Sequence, residues 1–201
     1  MEITIFTLIV LLFSTVIHEI AHGSVANMLG DSTAKQAGRL TLNPLKHLDL
    51  FGSVILPLSL LFMTLGRGPI FGWAKPVPVN PFNFRDQKWG MLKVSLAGPS
   101  INFLIAVIFG LLIRFFDLSQ ILASLFSIIV VYNFAWGIFN LIPIPPLDGY
   151  HILFTFLGDR FFAIKSFLQR YGMFILIMLI FSGLGWVFAG AVSLYSLVSG
   201  R

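Results

Sequence analysis

Two histidines and a glutamate define the chemistry this sequence can do. His18-Glu19-Ile20-Ala21-His22 is an H-E-x-x-H motif at the end of an apolar run whose residues 3–17 carry no charge. On a helix the two imidazoles lie one turn apart on one face, so both can reach a single metal ion. Glu19 projects beside them, where a carboxylate can act as general base on a water next to that ion. The competing reading is a polar helix end at a membrane interface, its histidines bonded to backbone. Three polar or ionisable groups in hydrocarbon are costly and tend to be functional, which favours the chemical reading.

The composition sets the surroundings of this motif. The chain has 201 residues, 57% hydrophobic and 10% charged, with a mean hydropathy of +0.93. A soluble domain carries about a quarter charged residues, so the expectation is an all-α polytopic membrane protein of one domain. Cysteine is absent, which excludes disulfides and thiolate metal sites. The N-terminal stretch lacks the basic start and small-residue cleavage site of a signal peptide, so the first helix is expected to be retained. The net charge of +5 is read as Lys- and Arg-rich cytoplasmic loops, with no nucleic-acid partner.

About five to six membrane segments, including a broken or re-entrant hairpin, are expected to position the motif. Residues 1–29 form the first helix. Residues 33–44 follow as a re-entrant segment, in which the alternation from Arg39 to Asn43 predicts a short β-strand near the site. Residues 50–80 are an apolar hairpin broken at Gly66-Arg67-Gly68-Pro69, then an extended stretch in which Pro76 and Pro78 forbid a helix. Residues 89–116 and 120–141 are the third and fourth segments. Residues 142–157 are a proline loop and a short helix, and 158–170 read as interfacial. The apolar block 171–198, interrupted at Gly183-Leu184-Gly185, reads as one tilted span or two shorter pieces.

A catalytic metal needs three protein ligands and an open position. Beyond His18 and His22 the candidates include His47, His151, Asp31, Asp49, Asp86, Asp117, Asp148 and Asp159. Asp148 is preferred because Pro143, Pro145 and Pro146 unwind the chain just before it, and non-helical backbone at membrane depth must line a cavity or be buried. Helix parity then requires an even number of passes between residues 50 and 79. It puts Lys35, Arg39, Lys46, Lys75, Arg85, Lys88, Arg160, Lys165 and Arg170 on one side, which the positive-inside rule makes cytoplasmic. His47 and Asp49 are expected to form structural hydrogen bonds, and Asn102 is either a polar contact between helices or a cavity-facing group.

Five ordered motifs resemble the site-2 protease family, the intramembrane zinc metalloproteases. They are His18-Glu19-Ile20-Ala21-His22, Gly38-Arg39-Leu40-Thr41-Leu42-Asn43-Pro44, the stretch from Gly72 to Asn80, Gly98-Pro99-Ser100-Ile101-Asn102, and the stretch from Asn140 to Gly149. The likeness is to compact prokaryotic members without a PDZ or CBS domain. It implies one Zn2+ per chain on His18, His22 and Asp148, with Glu19 activating water. It implies that Asn140, with Asn102 near the site, binds substrate backbone or the developing oxyanion. It also implies that a strand at Arg39, Leu40, Thr41 and Leu42 pairs with an unwound transmembrane protein or peptide substrate. The expected location is the cell membrane, multi-pass, with the active site toward the cytoplasm. One departure is Tyr150-His151, where the family often has Gly-Arg, so His151 is a candidate supporting or competing ligand. Two alternatives use the same residues: a mononuclear iron enzyme, and a non-catalytic membrane binder or transporter.

Overall fold

In lipid a backbone finds no water to bond, so apolar stretches close their own hydrogen bonds as helices. The computed structural model describes residues 2–63, 74–157 and 161–201. In chain order the helices are α1 (Glu2–Met28), α2 (Thr33–Gln36), α3 (Leu56–Met63, continuing a π-helical stretch Leu50–Ile55), α4 (Gln87–Phe115), α5 (Gln120–Asn140), α6 (Asp148–Leu157), α7 (Phe162–Ser182) and α8 (Gly185–Ser199). Among the described residues, α1, α4, α5 and α7 are long and apolar enough to cross a membrane. The described residues thus hold four such helices, against the five to six segments expected. The fifteen residues of α8 are too short for a bilayer core, and α3 ends where the described residues stop. The expected hairpin break at 66–69 lies outside the described residues.

The expected strand at Arg39–Asn43 is also corrected, because no strand occurs among the described residues. Local partners take its polar groups: Arg39 N–H donates to Ala34 O, Asn43 N–H to Thr41 Oγ1, and the His47 ring nitrogen Nε2 meets Thr41 O at 2.9 Å. The neighbouring stretch holds Pro76 and Pro78, which have no N–H to lend to a ladder. At the C-terminal end the chain forms two helices. They part at Gly183, whose φ of +103° is open to glycine and strained for other residues. Much of the stretch read as interfacial is the start of α7.

α4 is the central helix, packed against α1, α5, α6 and α8. The α4, α5 and α8 contact is built on Ala106, Ala135 and Ala191 with Val130, Phe134 and Val187. Small residues let apolar helices approach where lipid gives no hydrophobic drive to associate. Large apolar side chains such as Leu8, Leu104, Phe174 and Met178 are exposed, as a lipid-facing surface requires. Ser14, His18, His22, Asn102, Asn133 and Asn140 are buried instead. This inside-out polarity puts a polar seam between α1, α4 and α5.

Beyond α1, the Asp31 carboxylate ties together the turn that ends it. It accepts from the Thr33 hydroxyl (2.5 Å), the Asn80 N–H (2.7 Å), the Asn83 amide (2.8 Å) and the Thr33 N–H (3.1 Å). Burial alone would raise this carboxyl. The four donors outweigh it and hold the group below the ordinary carboxylate value.

Candidate metal centre

His18 and His22, one turn apart on α1, face Asp148 at the first position of α6. His18 Nε2 and His22 Nε2 are 3.0 Å apart, and Asp148 Oδ2 lies 3.1 Å from the first and 3.2 Å from the second. Three ligand-type atoms from two helices therefore form one small triangle. Among the described residues this is the group of histidines and carboxylates able to hold a metal ion.

The proton positions show what the triangle lacks. His22 Nδ1 lies 2.7 Å from Val94 O, and a carbonyl can only accept, so Nδ1 carries the proton. His18 Nδ1 lies 2.6 Å from Asn102 Oδ1. Asn102 is oriented by its own Nδ2, which donates to Ser14 O (3.3 Å) and Asn133 Oδ1 (2.9 Å). Asn133 is fixed in turn because its Nδ2 donates to Ile129 O at 2.9 Å. In the neutral rings both Nε2 atoms are therefore bare lone pairs, aimed at each other and at a carboxylate oxygen. Asp148 Oδ2 is buried and makes no hydrogen bond there. Three electron-rich atoms facing inward repel unless a cation lies between them. Ligands about 2.0–2.2 Å from one ion at tetrahedral angles would be spaced by about 3.3–3.6 Å, slightly wider than this triangle. The residues present fit a divalent metal.

The backbone explains how the groups meet. Gly98 of α4 rests directly on the two imidazoles: a Cβ there would lie 2.4 Å from His22 Nε2 and 2.5 Å from His18 Nε2. Pro99 follows, inside the helix, and its missing N–H leaves the Ser95 carbonyl without its helical donor. On the other side, residues 141–147 form an irregular loop after α5. The loop folds back so tightly that a Cβ on Gly149 would meet Leu141 O at 2.1 Å. Pro145 packs on Gly172 of α7, so α6 and α7 clamp the loop that delivers Asp148.

Other expected site residues are placed as follows. Glu19 lies between the two histidines in sequence, and its Oε2 accepts from the Val77 N–H at 2.7 Å. Asn140 is buried at the end of α5, with Nδ2 donating to Trp136 O at 3.0 Å. Asn102 touches His18 directly. Arg39 turns its guanidinium to the carbonyls of Lys75 and Pro76, while Leu42 is exposed. His47 is buried against Thr41 O, and Asp49 accepts from the Gly52 N–H. His151 stands edge-on to Tyr150 and takes no part in the triangle.

The chain resembles known proteins over most of its length. It is 38% identical to YwhC of Bacillus subtilis over 90% of this chain and 82% of that protein. It is 32% identical to Rip2 of Mycolicibacterium smegmatis over 84% of this chain and 64% of that protein. A Methanocaldococcus jannaschii protein is 32% identical over 45% of this chain and 27% of its own length. The first two carry zinc metalloprotease as a provisional name, and the third carries it outright. The model of peptidase family M50 matches residues 116–181. The chain belongs to peptidase family M50. No solved structure matches it.

This M50 chain is a membrane metalloprotease of the site-2 protease type. Three groups in its buried network were not singled out from sequence: Asn133, the Ser14 carbonyl and the Val94 carbonyl. Asn133 did leave a signal. It is a polar residue in the apolar α5, seven positions before Asn140 and so two turns along the same face. The two carbonyls leave none, because every residue has one.

Proposed function

We propose that this chain is an intramembrane zinc metalloendopeptidase that cleaves transmembrane or membrane-associated substrates. His18 Nε2, His22 Nε2 and Asp148 Oδ2 would hold one Zn2+. The observation that carries this reading is the triangle of 3.0–3.2 Å between those atoms, with both Nδ1 protons already committed elsewhere. A zinc ion bound there supplies Lewis-acid activation of water and of the scissile carbonyl. Three protein ligands would leave room on such an ion for them.

Glu19 acts as general base. Its carboxylate takes a proton from the attacking water and returns it to the leaving amine, so the proton count closes over one hydrolysis. Asn140, at the lip of the proline loop, supplies an amide N–H toward the substrate backbone or the oxyanion as negative charge builds. Asn102 keeps His18 in the tautomer a metal needs. The substrate is received as an extended segment, since a helical substrate hides its carbonyls and must unwind first.

The site faces the cytoplasm in the cell membrane. Supporting this, Arg39 and Lys75 meet at the C-terminal end of α1, where the Arg85 N–H donates to Leu29 O. The α4–α5 turn with Asp117 lies at the opposite end of α4. Clustered Lys and Arg mark the cytoplasmic side.

The test uses the full-length protein in detergent with a synthetic transmembrane helix carrying a quenched fluorophore pair. E19Q is expected to lower the rate by about 10²-fold or more while keeping its zinc. Cleavage at the wild-type rate by E19Q, or purified active protein without zinc, would overturn the reading.

A further inference from the structure

Glu19 is not left free to rotate. Val77 donates its backbone N–H to Glu19 Oε2 at 2.7 Å, from a stretch reading Lys75-Pro76-Val77-Pro78-Val79. Pro76 and Pro78 have no N–H, so across these three residues the backbone offers a single donor. Their rings also hold φ near −65°, roughly, which keeps the stretch extended and limits how far that N–H can turn away.

The stretch is pinned from both sides. Lys75 N–H donates to His47 O at 2.9 Å. Arg39 Nη2 donates to Lys75 O at 2.6 Å and to Pro76 O at 3.3 Å. Farther on, Asn80 N–H donates to Asp31 at 2.7 Å. Between these anchors the Val77 side chain is buried and sits on Gly23. A Cβ at Gly23 would lie 2.8 Å from Val77 Cγ1 and 2.6 Å from Leu40 Cδ2. Glu19 and Gly23 are four residues apart on α1, so they share a face. The carboxylate and the seat of its donor are thus built into the same strip of helix.

We propose that residues 75–79 are a strap that positions Glu19 for proton transfer. Val77 is its positioning residue, Gly23 the seat and Arg39 the clamp; the proposal rests on Glu19 being the base. The strap holds one carboxylate oxygen, Oε2, and leaves the other for proton transfer. Loss of such alignment is felt mainly in turnover, because a displacement of about 1 Å can cost about 10²-fold. The strap also gives the alternating prolines a purpose. They remove competing donors and leave one N–H aimed at one acceptor.

Two substitutions isolate that N–H in the full-length protein. V77A keeps the donor and loses the packing on Gly23, whereas V77P loses both. With the same quenched transmembrane helix, V77P is expected to lower kcat by about 10–100-fold more than V77A. KM and zinc content should stay together with those of V77A. In the E19Q background V77P should cause no further loss, since a residue acting through Glu19 has nothing left to position. A readout independent of turnover is amide hydrogen exchange at Val77, which should speed up in E19A protein without metal. If V77P does not fold, G23A, whose methyl group would lie 2.8 Å from Val77 Cγ1 and so unseat the strap, should show the same loss in kcat with KM and zinc unchanged. Equal kcat for V77P and V77A, a loss confined to KM or zinc content, or an undiminished V77P effect in E19Q would each overturn the strap. Wild-type turnover by E19Q would instead remove Glu19 as base, whatever Val77 does.

Discussion

Asn133 of α5 accepts a hydrogen bond from the Asn102 amide of α4 at 2.9 Å, and that contact decides which nitrogen of His18 faces the metal site. The order runs from Ile129 O through Asn133 and Asn102 to His18 Nδ1, and each step is fixed because a backbone carbonyl can only accept. Replacing Asn133 with Leu removes that acceptor and leaves the Asn102 amide held only by its longer bond to Ser14 O. The expected result is a fall in zinc affinity of about 10–100-fold, read by competition with a chelating dye. N133D should recover much of it. Buried and protonated, its carboxyl can accept from Asn102 and donate to Ile129 O.

Removal of a metal ligand should act differently from removal of the base. D148A is expected to lose bound zinc together with activity, whereas E19Q keeps the metal. Stripping the wild-type protein with a chelator should abolish cleavage, and added Zn2+ should restore it. Metal content by mass spectrometry checks the first outcome, and the quenched-helix rate checks the second.

Gly98 has no room for a methyl group. A Cβ at that position would meet both imidazoles at 2.4–2.5 Å, and a helix backbone on one side cannot yield as a flexible side chain could. G98A should therefore push α4 away from α1, at a cost of about 1–3 kcal/mol in stability. Zinc binding should fall with it. Thermal unfolding in detergent and metal content are the two measurements.

Asp31 makes the fold sensitive to acid. Its folded value lies below the ordinary carboxylate value, because the donors from Thr33, Asn80 and Asn83 outweigh the opposing effect of burial. Its contribution is thus present above the unfolded value of about 3.9 and is lost as pH falls through the lower folded value. D31N should lower the melting temperature at neutral pH. It should also flatten the loss of stability that the wild type shows on acidification below about pH 4. Melting temperature against pH for the two proteins gives the comparison.

That His18, Glu19 and His22 come together was legible because their spacing is local: three side chains within five residues need only a helix to align them. The apolar runs that became α1, α4 and α5 were legible for a similar reason, since length and hydropathy are properties of a segment. The run of prolines before Asp148 marked an unwound loop, as proline removes a donor wherever it stands. The strand at Arg39–Asn43 was misread. Alternating polarity signals a strand only when a neighbour has free N–H and C=O groups, and here the neighbour was Pro76-Val77-Pro78.

Tertiary structure decided the rest, because it depends on atoms far apart in the chain. The gap of 130 residues between His18 and Asp148 is closed by α4 and α5, and by a loop wedged between Gly149 and Gly172. The tautomer of His18 depends on amides 84 and 115 residues away, and the Glu19 oxygen on an N–H 58 residues away. Backbone carbonyls and N–H groups are the same in every residue, so no sequence pattern announces which of them will be used. The H-E-x-x-H motif set His18, Glu19 and His22 on neighbouring turns of one helix; the packing of α4 on α1 decided where the imidazole lone pairs point.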